Sequence, residues 1–180
     1  MNFSVHRPQL PSMDELQYNT LVLTYFSDER PLRGLSGLVD WRLNGNLSRM
    51  VQSGRLTGNW GEQLLYPQAG RLPFRNIVMF GLGDRSRFGS TRFKEISNRI
   101  LRTLMRLECS SFATSLPGRN VLKLVPRQLI DLWLGEFQKE FLSQRYNNLE
   151  YEIGFLEPRD FHDELDEPLS MFRRQHIPRP

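Results

Sequence analysis

Short apolar runs divide the chain into candidate strands. Residues 20–26 (TLVLTYF) and 76–80 (NIVMF) are rich in β-branched, aromatic and other apolar side chains, and each run ends abruptly at polar or glycine residues. Runs of this composition and length are typical of buried strands. Weaker signals predict further strands over residues 62–66, 110–116 and 149–156.

Longer segments between these runs have helical periodicity. Apolar residues recur at spacings of three and four over residues 31–53, 91–107 and 126–144, which gives each segment one apolar stripe. The first and third segments begin with a proline, which suits the first turn of a helix. Residues 159–180 predict a broken helix followed by a tail, because Pro168 interrupts the pattern.

The alternation of strands and helices predicts an α/β layered domain. With 180 residues, the chain is long enough for one compact domain with a sizeable core. We expect that core to span about residues 20–157. Residues 1–18 have two prolines and no clear period, which predicts an irregular lead-in, and residues 159–180 form a C-terminal extension.

The composition is typical of a globular protein without a membrane span. Hydrophobic residues make up 39% and charged residues 24% of the chain. No run approaches the roughly 18 apolar residues of a membrane helix, and the first residues lack the apolar segment of a secretory signal. Cys109 is the only cysteine, which excludes an internal disulfide and fits a reducing compartment. We therefore expect a cytoplasmic protein.

The net charge of +4 at pH 7 is unevenly distributed. Residues 71–106 carry nine basic and two acidic side chains, whereas residues 150–167 carry eight acidic side chains and one arginine. The two regions could pair within the fold or between subunits, or form separate surfaces, of which the basic one would attract polyanions. The basic surface would consist of four arginines on the second predicted helix, Arg92, Arg99, Arg102 and Arg106.

Nucleic acid is one partner that this basic surface would suit. Stacking aromatic residues are not interleaved with the arginines, however, and most such helix faces are simply solvated.

The segment after the strand at 76–80 is the first candidate ligand site, because ligands of open α/β sheets bind at the carboxyl ends of strands. Its Gly-Leu-Gly sequence fails both nucleotide motifs: Ser86 replaces the third glycine of a dinucleotide fingerprint, and Ser90 replaces the lysine of a Walker A loop. Glycines that let the chain turn sharply are therefore the favoured interpretation. Anion binding stays open, and its candidate residues are Gly81, Gly83, Asp84, Arg85 and Arg87.

No catalytic or metal-binding constellation is visible in the sequence. The three histidines, His6, His162 and His176, lie in segments that we expect to be irregular or terminal. His162 has acidic neighbours, but the spacing does not place two ligands on one helix face. Cys109 has no evident histidine partner and fits a small buried hydrophobe. We expect no catalytic residue, metal or cofactor.

Two stretches resemble a known family. Residues 28–67 (DERPLRGLSGLVDWRLNGNLSRMVQSGRLTGNWGEQLLYP) and 75–88 (RNIVMFGLGDRSRF) are similar to the N-terminal domain of leucyl aminopeptidases, the M17 peptidase family. In that domain a strand is followed by a helix, a Gly-x-Phe/Leu-x-Gly segment, Gly-Glu, and a short strand that ends in proline. The next strand then leads to a Gly-Leu-Gly turn. The resemblance covers most of residues 20–156.

The resemblance implies a macro-domain-like, three-layer α/β/α fold with a mixed sheet. In the family, catalysis belongs to a separate C-terminal domain with a two-metal site, a lysine and an Asn-Thr-Asp-Ala-Glu-Gly-Arg motif, and nothing similar to this motif occurs here. We therefore expect a non-catalytic accessory, binding or assembly module, which forms a homo-oligomer or joins a separate catalytic partner. DNA binding occurs in some family members. The alternative is a cleft for ADP-ribose or a similar nucleotide, and metal-dependent aminopeptidase activity ranks last.

Overall fold

A computed structural model describes residues 1–67, 70–141 and 150–176. Six strands form one sheet in these ranges: β1 (Asn2–His6), β2 (Thr20–Tyr25), β3 (Gln63–Pro67), β4 (Asn76–Gly81), β5 (Ser111–Thr114) and β6 (Glu152–Leu156). The α-helices are α1 (Leu10–Asp14), α2 (Gly34–Arg42), α3 (Asn46–Gln52), α4 (Ser90–Arg106), α5 (Pro126–Phe141) and α6 (Arg159–His176). A 3₁₀ turn spans Arg85–Arg87. No helix within the described ranges has both the length and the apolar character needed to cross a membrane.

The strand order is β1-β6-β5-β2-β4-β3, which confirms the predicted mixed sheet. Every neighbouring pair is parallel except β3 and β4, which are antiparallel. Thr20 at the start of β2 aligns with Asn76 on one side and Phe112 on the other. Five parallel strands therefore end at the same edge of the sheet, where the loops that follow them meet.

Two hydrophobic cores lie on opposite faces of the sheet, which confirms the three-layer α/β/α architecture. Successive residues of β2 point to opposite faces, so that Val22 packs with α4, α5 and α6, whereas Leu21 and Leu23 pack with α1, α2 and α3. In the first core the Trp133 indole stacks on Phe137, with ring centroids 5.5 Å apart.

The predicted irregular lead-in is wrong. Residues 2–6 form β1, which pairs in parallel with β6 from Asn2 opposite Glu152 to His6 opposite Leu156. This edge strand is only partly buried, so its five residues lack the dense apolar run by which β2 and β4 were predicted. The N-terminal residues are therefore part of the sheet.

The single helix predicted over residues 31–53 is two helices. The chain leaves α2 at Leu43, and Asn44 and Gly45 both have positive φ, of 55° and 73°. Gly45 then begins α3 as its N-terminal cap residue. The break lets both short helices follow the twisted sheet, and a continuous apolar stripe in the sequence does not show it.

The helix predicted as broken at Pro168 is continuous. Pro168 lies inside α6, where a proline costs about 3 kcal/mol because it removes a backbone hydrogen bond. It is buried beside Leu165 and Leu169, and packing of this face against the sheet and α5 offsets the cost. The predicted end of the third helix at 142–144, the start of the last strand at 149 and the tail at 177–180 lie outside the described residues.

Candidate functional site

A cleft of about 540 Å³ opens where the parallel strands end. Its walls come from the loops after β2, β4 and β5, the last residue of β6 and the first turn of α2. Its volume lies within the range of about 300–1,000 Å³ that is usual for small-molecule sites. The residues that define its chemistry are Phe26, Arg33, Gly34, Arg85, Arg119 and Leu156.

Arg85 enters the cleft from the loop after β4 and is only partly paired. One of its terminal nitrogens lies 3.2 Å from Glu29 Oε1, and the guanidinium lies over the Phe26 ring, 5.5 Å from the centroid. Its Nε is buried and has no hydrogen-bond partner among the described residues. The side chain as a whole is 35% exposed, so the outer donors of the guanidinium can reach a ligand in the cleft.

Arg119 lines the opposite wall and is held by a buried carboxylate. Its Nε lies 2.6 Å from Oε2 of Glu157, whose side chain is 0% exposed. The other carboxylate oxygen accepts a hydrogen bond of 2.6 Å from the Leu116 backbone N–H. The guanidinium also lies 4.9 Å from the Phe161 ring centroid. Burial raises the pKa of Glu157 to about 7, although Arg119 and the Leu116 N–H favour the charged form.

The first turn of α2 lines the same cleft and has free backbone donors. No side chain caps this helix, and in the part of the chain that the structure describes the N–H groups of Gly34, Leu35 and Ser36 have no hydrogen-bond partner. The Ser36 hydroxyl donates to the Thr24 carbonyl at 2.8 Å, which fixes the helix start to the end of β2. Uncapped N–H groups and the helix dipole favour an anion.

Of the five predicted ligand residues, only Arg85 lines the cleft. The glycines contact the loop before β3 instead: Gly83 N–H donates to the Gly58 carbonyl at 2.8 Å, and the Gly81 carbonyl accepts from Gly61 N–H at 3.0 Å. The other two, Asp84 and Arg87, are exposed. Hydrogen bonds from Ser86 to the Asp84 carboxylate cap the 3₁₀ turn and lower the pKa of Asp84.

The Glu62 carboxylate holds the loop before β3 in place. Glu62 accepts hydrogen bonds from the Tyr25 hydroxyl at 2.6 Å, from Gly58 N–H at 2.6 Å, and from the Thr57 backbone and hydroxyl at 3.0 and 3.1 Å. Partial burial by itself would raise the pKa of Glu62, but these donors outweigh it and the pKa is lowered. Burial, together with the nearby Glu62, raises the pKa of Tyr25. The loop before β3, which lies beside Gly81, is therefore held by hydrogen bonds to the Glu62 carboxylate.

The predicted basic surface lies away from the cleft, on α4. Arg92 lies over the Trp60 ring at 4.8 Å from its centroid, and Arg102 Nε is 4.0 Å from a Glu140 oxygen. The remaining two predicted residues, Arg99 and Arg106, are exposed and, with Arg102, line a groove of about 990 Å³ between α4, β3 and α5.

The histidines serve local packing. His6 Nε2 lies 2.9 Å from the Tyr18 hydroxyl, and burial, followed by the charge of His162, lowers the pKa of His6. The ring of His162 contacts the Glu157 carbonyl at 3.0 Å. His176 lies at the end of α6, remote from both. Within the described ranges, no group of three or more His, Cys, Asp or Glu side chains is placed to hold a metal ion.

Arg33 and Arg119 line the cleft, and Glu157 holds Arg119 from behind; the sequence did not point to any of the three. Arg119 follows Pro117-Gly118, which was interpreted only as a turn, and Glu157 directly follows β6. The signal for Arg119 and Glu157 is their position after β5 and β6, because ligands bind at the carboxyl ends of parallel strands.

The fold is shared with solved structures of two kinds. A mutant tomato leucine aminopeptidase superposes with a TM-score of 0.60 at 14% identity, covering 96% of this chain and 36% of that one. A Trypanosoma brucei macrodomain in complex with ADP-ribose superposes with a TM-score of 0.68 at 17% identity, covering 93% and 68%. These likenesses establish the macro-domain-like fold that the sequence resemblance implied.

Sequence comparison adds the family. A probable cytosol aminopeptidase from Geobacter sp. (strain M21) is 26% identical over 155 residues, which are 83% of this chain and 30% of that protein. A relative with the same name from Pseudomonas syringae pv. tomato is 27% identical over 61% of this chain and 22% of its own length. The chain thus spans less than a third of these relatives. The model of the cytosol aminopeptidase family, N-terminal domain, matches residues 22–127, more than half of the chain, and the protein therefore belongs to that family.

Proposed function

We propose that this domain is a non-catalytic binding module whose cleft takes an anionic nucleotide of the ADP-ribose class. The observation that carries the proposal is the cleft itself, where Arg33, Arg85 and Arg119 meet the uncapped start of α2. Aminopeptidase activity is not part of the proposal, because the matched region is the N-terminal domain of the family. We also propose that the module acts in the cytoplasm, as the single cysteine predicts.

The chemistry of the lining suits a diphosphate with an apolar group attached. Backbone N–H groups of α2, Arg33 and the partly exposed guanidinium of Arg85 offer donors to phosphate oxygens. Leu38, Val121 and Leu156 provide an apolar wall beside them, against which a base or sugar could pack.

ADP-ribose is the probe of choice. The Trypanosoma brucei macrodomain was solved with this ligand, and the likeness of the two folds supports a comparable ligand class here. Function does not follow from fold alone, so that the proposal depends on the residues of this cleft.

Replacement of Arg85 by alanine is expected to weaken ADP-ribose binding at least about tenfold, because a charge-assisted hydrogen bond contributes about 1.5–3 kcal/mol. Isothermal titration calorimetry measures the dissociation constant. Arg87→Ala is the matched control: it removes the same charge two residues away, from an exposed side chain outside the cleft lining. We expect its affinity to stay within about twofold of wild type. Absence of binding by the wild-type protein, or equal losses in both variants, would refute the proposed site.

Assembly is a second candidate function, which the charge distribution favours. The α4 groove presents exposed Arg99, Arg102 and Arg106, whereas the first half of α6 presents exposed acidic side chains such as Asp163 and Asp166. Complementary surfaces on one chain would support association between copies, or with a separate catalytic protein. The same groove would also attract nucleic acid.

The double variant Arg99→Glu/Arg102→Glu is expected to abolish self-association, because it places acidic side chains opposite an acidic partner surface. Sedimentation velocity at low and high salt measures the effect, and high salt should mimic the variant. Lys123→Glu reverses a charge at an exposed residue outside this groove and should associate as wild type does. A wild-type protein that stays monomeric at high concentration in low salt contradicts this candidate. If it instead binds a DNA duplex of arbitrary sequence, the groove is a nucleic-acid surface.

A further inference from the structure

Building on the proposed function, we infer that anion binding in the cleft is coupled to uptake of a proton by Glu157, which releases Arg119 to the ligand. Glu157 thereby acts as a positioning residue: it does not line the cleft, but it holds an arginine that does. The coupling makes the ligand-binding site sensitive to pH near neutrality.

The contacts of Glu157 make Arg119 its main source of charge compensation. One carboxylate oxygen accepts from Leu116 N–H at 2.6 Å, which holds the loop after β5 against the end of β6. The other lies 2.6 Å from Arg119 Nε and forms a close ion pair with it. The attraction is therefore ionic and depends on the charge of the carboxylate. Protonation of Glu157 would remove this attraction, and the Leu116 N–H would then donate to a neutral carboxyl group.

Arg119 is placed to exchange its ion pair with Glu157 for one with a ligand phosphate. Its side chain is 20% exposed, lines the cleft, and donates to the Asn120 side-chain oxygen at 2.8 Å. The Phe161 ring supports the guanidinium on one side. A ligand phosphate that draws Arg119 away would leave the buried Glu157 carboxylate without its cation, which is strongly unfavourable. Uptake of a proton by Glu157 avoids that penalty.

Of the other groups around Glu157, one charge raises its pKa further, and the remaining contacts involve its backbone. From α6, Asp160 raises the pKa of Glu157 further, and the His162 ring lies 3.0 Å from the Glu157 backbone carbonyl. From β1, the His6 carbonyl accepts from Glu157 N–H at 2.9 Å. Arg119, from the loop after β5, supplies the charge that opposes burial. Burial dominates, so the pKa of the free protein is raised to about 7.

The sign of the coupling follows from these contacts. Removal of Arg119 by a ligand raises the pKa of Glu157 above its value in the free protein, so binding takes up a proton where the free carboxyl is ionised. Affinity is therefore level below about pH 7 and falls as the pH rises. If the bound form stays protonated, the dissociation constant increases about tenfold between pH 6 and pH 8.

Calorimetric titration of the full chain with ADP-ribose across about pH 6–8.5 tests the coupling. The diphosphate of this probe does not titrate in that range, and buffers with different ionisation enthalpies report the protons taken up. Glu157→Gln is expected to remove the pH dependence and to bind at high pH as wild type does at low pH. Arg119→Gln is expected to be equally independent of pH but uniformly weak. If Glu157→Gln binds tightly and Arg119→Gln binds weakly, and neither affinity changes with pH, the effects come from the release of Arg119. A general loss of structure would weaken binding in both variants.

Asp160→Asn is the matched control, because it neutralises an exposed carboxylate on α6 that does not hold Arg119. It should keep the pH dependence, with a midpoint shifted slightly downward. Wild-type binding that does not change with pH would overturn the coupling and leave the cleft as a binding site. No binding at any pH would overturn the proposed function and the coupling with it.

The ligand-free protein offers a second test if Glu157→Gln does not fold. Hydrogen exchange at the Leu116 amide, corrected for the intrinsic rate, should become faster as the pH falls through about 7, because a neutral carboxyl is a weaker acceptor. Protection that stays constant across this range would contradict the proposed protonation.

Discussion

Gly81→Ala is expected to lower the free energy of unfolding by about 3 kcal/mol, at the upper end of the range for overpacking. A Cβ at Gly81 would overlap the Asn59 carbonyl oxygen and lie 2.8 Å from the Gly58 carbonyl carbon. Both are backbone atoms of a loop that Glu62 anchors, so neither can move cheaply. The effect is steric, because the φ of Gly81 is not positive. Urea unfolding followed by circular dichroism measures it.

Gly89→Ala is the matched control. It adds the same methyl group where no other heavy atom lies within 4 Å, on extended backbone with φ −136°. The change should cost no more than about 1 kcal/mol, because Gly89 is the N-cap residue of α4 and alanine is a weaker cap than glycine. Equal stabilities for the two variants would show that the loop before β3 yields easily, and the packing role of Gly81 would be wrong.

Glu62→Gln is expected to cost about 2–3 kcal/mol at neutral pH, the second-largest effect, because the carboxylate accepts charge-assisted hydrogen bonds from Tyr25, Thr57 and Gly58. An amide can present only one oxygen to these donors, and its NH₂ group would face one of them. Urea unfolding at neutral pH checks the loss.

The stability lost in Glu62→Gln should depend on pH. Because the pKa of Glu62 is lowered in the folded state, its contribution is complete above the ordinary pKa of a glutamate and is lost as the pH falls through the folded value. The stability difference between wild type and Glu62→Gln should therefore shrink in acid. Tyr25→Phe, which removes one donor and leaves the carboxylate with the others, should cost less, about 1.5 kcal/mol. A difference that is the same at neutral and acid pH would show that the ionised carboxylate is not what holds the loop.

Elements with a strong period were predictable from the chain alone. β2 and β4 are dense apolar runs, and α4 carries a long amphipathic stripe, because buried faces require apolar side chains at fixed spacings. β1 was missed because an edge strand buries little. The break between α2 and α3 and the continuity of α6 through Pro168 depend on packing energies between distant segments, which local pattern does not report.

The residues of the candidate site were likewise only partly predictable from the sequence. Arg85 was found because it follows a strand that the sequence marks clearly, whereas its neighbours in the Gly-Leu-Gly segment have a packing role. Arg33 and Arg119 lie far apart in sequence and line one cleft only because parallel strands end at one edge. Glu157 reaches Arg119 for the same reason. No spacing in the chain encodes that meeting.

The sequence by itself therefore determined the α/β class, the main strands and the family, since these depend on local periodicity and on motifs in order along the chain. Only the tertiary structure decided which charges face a cavity and which carboxylate is buried beside an arginine. Burial and charge pairing are properties of surfaces brought together across the sheet, and they set both the pKa of Glu157 and the freedom of Arg119.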